Sequence, residues 1–342
     1  MRVSVLTAVG ATEMAKRHHI KRVKRIRQAF DADALEAICC ADEASNFFTK
    51  YGERRDDEGT YYYYKDNGSD ILAVAHLDSV QSNRFCDVVE TKRGQKIAFS
   101  PTLDDRLGAY VICELLPKLG IKTDILLTVG EESANSSADL FETEKDYKWI
   151  FSFDREGTDV VMYDYKTKEM EGLLKQCGFE VSFGSFSDIC SLEHLGCKGF
   201  NFGVGYRNYH SKRAFVFLDD TFDMVARFMR FHDLNKNVHL KHTQSSSRSH
   251  YGSGGRWWDD EDDDEKEKFK YGTWINGRYY SRHEMDKYLA KGSTLDGDRE
   301  CNCGHVGYRH YGGNGPCAIS NCRCLEFIDD EEYQQLMAGG LN

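Results

Sequence analysis

The sequence predicts an α/β fold with a mostly parallel central sheet, and three observations support this prediction. Short, uninterrupted apolar segments recur along the amino-terminal part of the chain. A histidine, an aspartate or a glutamate follows each of these segments, and stretches with helical spacing lie among them. Short apolar segments bounded by polar residues are typical of strands that are buried on both faces of a parallel sheet.

The clearest strand is ILAVAHLD, residues 71–78, in which five small or branched apolar residues precede His76 and Asp78. Open α/β sheets bind ligands at the carboxyl ends of their strands. We therefore expect a buried strand that places His76 and Asp78 at the carboxyl edge of the sheet, where ligands bind. The alternative is a core strand followed by an ordinary polar loop.

Two features precede this strand. Residues 13–30 predict a helix whose apolar stripe contains Ile20, Val23, Ile26 and Phe30. We interpret it as a helix packed on the sheet, with a membrane-surface or targeting helix as the alternative. The tyrosines at 61–64, followed by Asn-Gly at 67–68, predict an antiparallel hairpin at the sheet edge.

The same arrangement recurs further along the chain. Within residues 101–120, Asp104 and Asp105 stand just before a predicted helix that Gly120 would end. Acidic residues follow the strands predicted over 125–129 and 149–153. A short apolar strand precedes a loop with a histidine and then a helix over 220–234. If the strands are parallel, the polar side chains share one edge, and this set of histidines and carboxylates suits two zinc ions. The set is His76, Asp104, Glu131, Glu132, Asp154 and His210.

Five short motifs occur in the order HLD, LDDR, GEES, FDREG and YHS. In these motifs the sequence resembles the co-catalytic zinc exopeptidases, a superfamily of aminopeptidases, carboxypeptidases and aminoacylases. The resemblance covers about residues 1–240. It implies a phosphorylase/hydrolase-like three-layer α/β sandwich with a mostly parallel central sheet.

The resemblance also implies a role for each motif residue. It implies that His76 binds zinc and is oriented by Asp78, and that Asp104 bridges two zinc ions and precedes a cis peptide bond. It implies that Glu131 is the general base that takes a proton from the bridging water. The remaining ligands that it implies are Glu132, Asp154 at the first site and His210 at the second. Cobalt or manganese are alternatives to zinc.

The spacing of the motifs indicates a branch of the superfamily. Relatives with a lid or dimerisation domain insert it between His76 and Asp104 or between Asp154 and His210, and neither gap here has room for one. An aspartate at position 154 accompanies aminopeptidases in the family. The predicted substrate is therefore a peptide with a free amino terminus. The alternatives are an N-acyl amino acid hydrolase that uses the same metals, and a catalytically silent binding protein.

The composition changes after residue 242, where we expect the catalytic domain of residues 1–242 to end. Residues 243–268 are rich in serine and glycine, then acidic, and predict a flexible linker. Residues 269–342 predict a small module with a hairpin, a short helix over 281–292 and one structural zinc or, alternatively, free thiols. The candidate ligands are Cys301, Cys303, His305, His310, Cys317, Cys322 and Cys324.

Composition narrows the function classes. The net charge of −11 argues against a general nucleic-acid binder, and no apolar segment approaches the roughly 18 residues of a membrane span. Of the 12 cysteines, the seven in the amino-terminal part have no regular spacing, which is typical of reduced thiols in the cytoplasm. The expected partners are a peptide substrate, a protein bound by the carboxy-terminal module, and further copies of the chain.

Overall fold

The computed structural model describes residues 2–57, 59–243, 273–275 and 278–280. The chain divides into two compact units, one of Met1–Val88 with Ala98–His250 and the other of Val89–Ile97 with Tyr251–Asn342. No helix in the described part is long and apolar enough to cross a membrane. The cysteines described in the first unit are free thiols.

The strands are numbered in chain order. They are β1 (Glu53–Asp57), β2 (Thr60–Lys65), β3 (Ile71–His76), β4 (Asp87–Glu90), β5 (Lys96–Phe99), β6 (Asp124–Thr128), β7 (Trp149–Ser152), β8 (Asp159–Val161), β9 (Glu180–Ser182), β10 (Lys198–Phe202), β11 (Tyr206–Arg207), β12 (Phe215–Phe217), β13 (Thr273–Ile275) and β14 (Arg278–Tyr280).

The central sheet has eight strands in the order β1-β2-β6-β3-β7-β10-β8-β9. Its middle strands β6, β3, β7 and β10 are parallel, so the predicted α/β fold with a mostly parallel sheet is confirmed. The tyrosine strand β2 forms an antiparallel hairpin at the sheet edge, but its partner is the preceding strand β1. The Asn-Gly at 67–68 is not the hairpin turn, because β2 pairs with β6 rather than with β3, the strand that follows it. A second sheet has the strand order β11-β12-β5-β4.

Strand β3 lies at the middle of the core. All six of its residues are buried, as its apolar sequence predicts. It pairs in parallel with β6 on one side and β7 on the other, and His76 lies opposite Thr128 of β6. The carboxyl ends of these strands therefore lie side by side, and the polar residues that follow them start from one edge of the sheet.

The helices cover this sheet. They are α1 (Arg2–Ala29), α2 (Ala32–Cys40), α3 (Leu103–Tyr110), α4 (Leu116–Lys118), α5 (Lys168–Gln176) and α6 (Leu218–Asn235), with a π-helical turn (Val111–Leu115) between α3 and α4. Gly120 follows α4 with a φ of 75°, as expected of a glycine that ends a helix. The predicted helix over 220–234 is confirmed as α6, whose Phe222, Val225, Phe228 and Met229 are buried.

Helix α1 begins earlier than predicted and packs along α6. His19 and Arg27 form ion pairs with Asp223 and Asp219 of α6, with closest approaches of 2.7 and 3.0 Å. Ile26 is fully buried, but Ile20 is 58% exposed. The prediction for Ile20 is wrong because the stripe of α1 that faces the protein runs through His19 and Ile26, and at 3.6 residues per turn Ile20 lies about 100° around the helix from His19.

In the second unit, β13 and β14 pair in an antiparallel hairpin with Ile275 opposite Arg278. These strands lie on either side of Asn276-Gly277, the turn predicted from the sequence, and the small module as a whole stays a prediction. The predicted helix over 281–292, the Cys/His cluster and nearly all of the predicted linker lie outside the described residues.

Candidate active site

Three segments of the site follow the parallel strands. His76 is the last residue of β3, Glu131 and Glu132 lie in a short 3-10 turn after β6, and Asp154 follows β7. The other two candidates approach from outside the central sheet. Asp104 follows β5, and His210 lies in the turn between β11 and β12. All three of these strands belong to the second sheet.

The prediction that all six side chains extend from one sheet edge is therefore wrong for Asp104 and His210. Pairing between strands that are far apart in sequence, such as β5 and β12, has no local signal. The loops of the second sheet nevertheless place Asp104 and His210 at the carboxyl edge of the central sheet, so the predicted ligand side chains lie close together.

The first group that could hold a metal ion contains His76, Asp104 and Asp154. His76 Nε2 lies 3.3 Å from Asp104 Oδ1 and 3.5 Å from Asp154 Oδ1. The side chain of His76 is 1% exposed and each carboxylate 9%. This group, which we call the inner group, is closed to bulk water.

The second group contains Asp104, Glu132 and His210. His210 Nε2 lies 3.1 Å from Asp104 Oδ2 and 2.8 Å from Glu132 Oε2, and the His210 side chain is 42% exposed. We call this the outer group. Asp104 belongs to both groups, with Oδ1 facing the inner histidine and Oδ2 facing the outer one.

The geometry fits bound metal ions. Two ligand atoms that each lie about 2.0–2.2 Å from a tetrahedral ion are about 3.3–3.5 Å apart, close to the spacing in the inner group. His76 Nε2 and Glu132 Oε1 are buried and have no hydrogen-bond partner in the described part of the chain. Because an unpaired buried polar atom is costly, a ligand that these atoms bind would stabilise them.

Asp78 links the two groups. His76 Nδ1 is 3.1 Å from the main-chain oxygen of Asp78 and 3.5 Å from its Oδ1. The other oxygen, Oδ2, accepts a hydrogen bond from the backbone N–H of Glu132 at 3.1 Å. Asp78 therefore orients the His76 ring mainly through its carbonyl, and it uses its carboxylate to hold the turn that carries Glu132.

Glu131 belongs to neither group of candidate ligands. Its Oε2 lies 3.7 Å from His76 Nε2, and its side chain is 14% exposed. The adjacent Glu132 points toward His210 instead. The two neighbouring glutamates thus face different parts of the site, one beside the inner group and one within the outer group.

The candidate site contains more carboxylates than histidines, and the pKa values of its residues are shifted accordingly. Burial raises the pKa of Asp154 to about 7 and that of Glu131 to about 9. Contacts with Asp104 and Glu132 raise the pKa of His210 to about 10. Burial alone would lower the pKa of His76, but Asp104, Asp154 and Asp78 outweigh it and raise that pKa well above its usual value. Without a metal ion, protons balance this cluster of carboxylates.

Asp104 is joined to Asp105 by a cis peptide bond, as the family resemblance implies. Both residues have non-helical backbone angles and stand before the helical part of α3. Asp105 is fully buried, and its Oδ1 accepts a hydrogen bond from the Gly108 N–H at 3.1 Å. A Cβ at position 108 would lie 2.2 Å from that oxygen, so this carboxylate position requires glycine there.

Several contacts were not predicted from the sequence. The Tyr206 hydroxyl donates to Asp104 Oδ1 at 3.2 Å, and the Ser187 hydroxyl donates to Asp154 Oδ2 at 2.8 Å. The Gln81 amide donates to the His210 carbonyl at 2.8 Å, and Arg106 Nε donates to the Leu77 carbonyl at 2.8 Å. Of the four donor residues only Arg106 falls within a motif, and Tyr206 lies three residues before one, so proximity to a motif is the one signal that the sequence offered.

No protein-family model matches the sequence, and no curated protein matches it. Solved structures that the chain resembles include aminopeptidases of the TET and PepT types, and others carry endoglucanase in their names. They include a tripeptidase from Staphylococcus aureus, with 11% identity, coverage of 63% of this chain and 98% of that one, and a TM-score of 0.45. The aminopeptidase PepT from Bacillus cereus has 13% identity, coverage of 64% and 98%, and a TM-score of 0.41.

A third structure is the TET1 peptidase from Pyrococcus horikoshii, which can assemble into a tetrahedron or a large octahedral shell. Its identity is 14%, the coverage is 57% of this chain and 92% of that one, and the TM-score is 0.35. With identities and TM-scores this low, the similarity says nothing about the substrate of this chain.

Proposed function

We propose that this chain is a di-zinc hydrolase of peptide bonds that acts as an aminopeptidase. The proposal rests on the Asp104 carboxylate, which both groups of candidate ligands share. One of its oxygens faces His76 and the other faces His210. A carboxylate placed in this way can bridge two cations, which is the arrangement used by two-metal hydrolases.

In this proposal His76, Asp104 and Asp154 hold one zinc ion, and Asp104, Glu132 and His210 hold the other. Nitrogen and carboxylate oxygen are ordinary zinc ligands, although cobalt or manganese would accept the same set. When bound, the two cations would supply Lewis acidity that polarises the scissile carbonyl and lowers the pKa of the attacking water.

Glu131 is the proposed general base. Its carboxylate is free of the two ligand groups, and its partial exposure gives water access to it. In its ionised form this carboxylate can take a proton from water at Oε2 and then pass it to the leaving amine nitrogen. Asp78 acts indirectly, by holding both His76 and the glutamate turn.

The family resemblance supports an aminopeptidase over an acylase, because it associates an aspartate at position 154 with aminopeptidases. Peptides with a free amino terminus should be hydrolysed, and the same peptides acetylated should not. Faster turnover of the acetylated series would identify an N-acyl amino acid hydrolase instead, and no turnover of either series would favour a silent binding protein.

We also propose that the carboxy-terminal Cys/His cluster binds one structural zinc, as its seven candidate ligands suggest. The double change Cys317→Ser with Cys322→Ser should lower the zinc content of the full chain by one ion and leave peptide hydrolysis unchanged. An unchanged zinc content would support free thiols. Whether the chain self-associates would be tested by light scattering of the same preparations.

A further inference from the structure

The hydroxyl of Ser187 contacts the candidate ligand Asp154 rather than its own helix. Ser187 stands at the N-cap of the 3-10 helix Asp188–Leu195 and is fully buried. A serine at this position usually accepts a hydrogen bond from the first turn, but this one forms no side-chain cap in the described structure. Its Oγ donates instead to Asp154 Oδ2 at 2.8 Å, which leaves Oδ1 to face His76.

The next residue, Asp188, fastens the segment that carries the two glutamates. It is 1% exposed, and it accepts a hydrogen bond from the Thr128 hydroxyl at Oδ2 and one from the Ser136 hydroxyl at Oδ1. Thr128 ends strand β6, just before the turn with Glu131 and Glu132, and Ser136 follows that turn. Both ends of the turn are therefore tied to one buried carboxylate.

The turn is also held by Asp78 at the Glu132 N–H and is closed by its own backbone. The N–H groups of Asn135 and Ser137 donate to the carbonyls of Gly130 and Val129 at 2.9 and 2.8 Å. These bonds set the shape of the turn but do not fix its distance from Asp154, which follows a different strand. The adjacent pair Ser187-Asp188 spans that gap, because one residue holds Asp154 and the other holds the glutamate turn.

We propose that Ser187 and Asp188 are positioning residues that set the register between the metal ligand Asp154 and the turn bearing the general base Glu131. This inference rests on the function proposed above. A buried carboxylate beside several others is electrostatically costly. Both Asp188 oxygens accept a hydroxyl hydrogen bond, whereas an asparagine would offer only one acceptor oxygen, so this link depends on the carboxyl group.

The test uses single variants of the full chain, Ser187→Ala and Asp188→Asn, each with a matched control. Ser152→Ala removes another buried hydroxyl, on β7, that has no hydrogen-bond partner in the described part of the chain. Asp124→Asn alters a fully buried carboxylate at the opposite end of β6, where it accepts hydrogen bonds from Tyr64 and Tyr147. Zinc affinity is measured by competition with a chelator, and kcat and KM with a peptide that has a free amino terminus.

We expect Ser187→Ala to weaken the tighter-bound of the two site ions by about 10–100-fold, the usual effect of removing a group that orients a metal ligand. Ser187→Thr, which keeps the hydroxyl, should restore most of that affinity, and Ser152→Ala should leave it unchanged. We expect Asp188→Asn to lower kcat by at least about tenfold with KM within about threefold of wild type, because the base is displaced while the substrate still binds. Asp124→Asn should lower the melting temperature with little effect on kcat.

Wild-type zinc affinity in Ser187→Ala, together with a wild-type kcat in Asp188→Asn, would overturn the inference while leaving the proposed function intact. A wild-type chain that binds zinc but hydrolyses no peptide would overturn the proposed function, and the zinc affinity of Ser187→Ala would then still decide the role of Ser187. If Asp188→Asn fails to fold, the comparison of Ser187→Ala with Ser187→Thr decides the inference by itself.

Discussion

The inner and outer groups share Asp104 but are held by different parts of the fold. His76 and Asp154 follow the hydrogen-bonded parallel strands β3 and β7, and their side chains are almost entirely buried. His210 lies in a turn with a φ of 57°, a conformation that is uncommon for residues other than glycine, and is 42% exposed. The Gln81 amide holds its carbonyl from a loop.

This difference suggests that the inner and outer groups have different roles. The inner ligands are preorganised by the core of the central sheet, where a displaced side chain would leave buried polar atoms unpaired. Among the outer ligands His210 meets solvent, so we expect an incoming substrate to reach the site from this side. We expect an ion in the inner group to be retained and an ion in the outer group to exchange more readily.

The largest expected effect separates the two adjacent glutamates. Glu131→Gln keeps size and shape but removes the proton acceptor, so the zinc content should stay and kcat should fall by about 10²–10⁴-fold. Glu132→Gln should instead lose the outer ion, and excess zinc should partly restore its activity, since an amide is a poorer ligand than a carboxylate. Zinc content and rate are measured for both variants. Zinc loss from Glu131→Gln with retention in Glu132→Gln would reverse the assignments.

The pH dependence of stability should separate the groups in a metal-free protein. Burial raises the pKa of Asp154 from 3.8 to about 7, and contacts with Asp104 and Glu132 raise that of His210 from 6.5 to about 10. A raised pKa means that the folded state binds the proton more tightly, so this stability is present below the unfolded pKa and is lost as pH rises through the folded value. The stability contribution of Asp154 in the inner group is therefore lost at lower pH than that of His210 in the outer group.

Urea unfolding in the presence of a chelator, at about pH 5, 7 and 9, should show a free energy of unfolding that falls as pH rises. Excess zinc should flatten this dependence, because the cation replaces the protons that balance the carboxylates. A free energy that rises with pH, or a slope that zinc leaves unchanged, would contradict the account of the site electrostatics.

A change beside the shared carboxylate should affect both groups alike. Gly108→Ala would place a Cβ 2.2 Å from Asp105 Oδ1 and displace a buried carboxylate next to Asp104. We expect a loss of about 1–3 kcal/mol in the free energy of unfolding, with weaker zinc binding at both groups. The control is Gly172→Ala in α5, which has open space around the added Cβ and should gain up to about 1 kcal/mol. If Gly108→Ala and Gly172→Ala changed stability and zinc binding equally, the expected contribution of Asp105 to the site would be wrong.

The smallest expected effect concerns the outer group alone. Gln81→Ala removes the side-chain hydrogen bond to the His210 carbonyl and leaves every ligand in place. Since a single partly exposed hydrogen bond contributes about 1 kcal/mol, we expect the affinity for the outer ion to fall by several-fold and the inner ion to be unaffected. Chelator competition resolves the two ions, and a change confined to the inner ion would contradict the proposed geometry.

The sequence predicted the inner group more completely than the outer one. The apolar runs before His76 and Asp154 are local signals of buried strands, and parallel strands place their carboxyl ends together. Asp104 and His210 are positioned by the second sheet instead, whose strands pair over long distances in sequence. No local sequence pattern predicts such pairing. The same holds for the hydroxyl contacts, since Ser187 lies 33 residues from Asp154 and Tyr206 lies 102 residues from Asp104.

The central claim is that Asp104 serves two metal sites, and the zinc content of Asp104→Ala compared with that of His210→Ala tests it most directly. Both variants and the wild-type chain are dialysed against the same zinc buffer and counted by elemental analysis, so any zinc in the carboxy-terminal module cancels. We predict that His210→Ala loses one ion relative to wild type and Asp104→Ala loses two. Loss of the same number of ions from both variants would contradict a shared carboxylate.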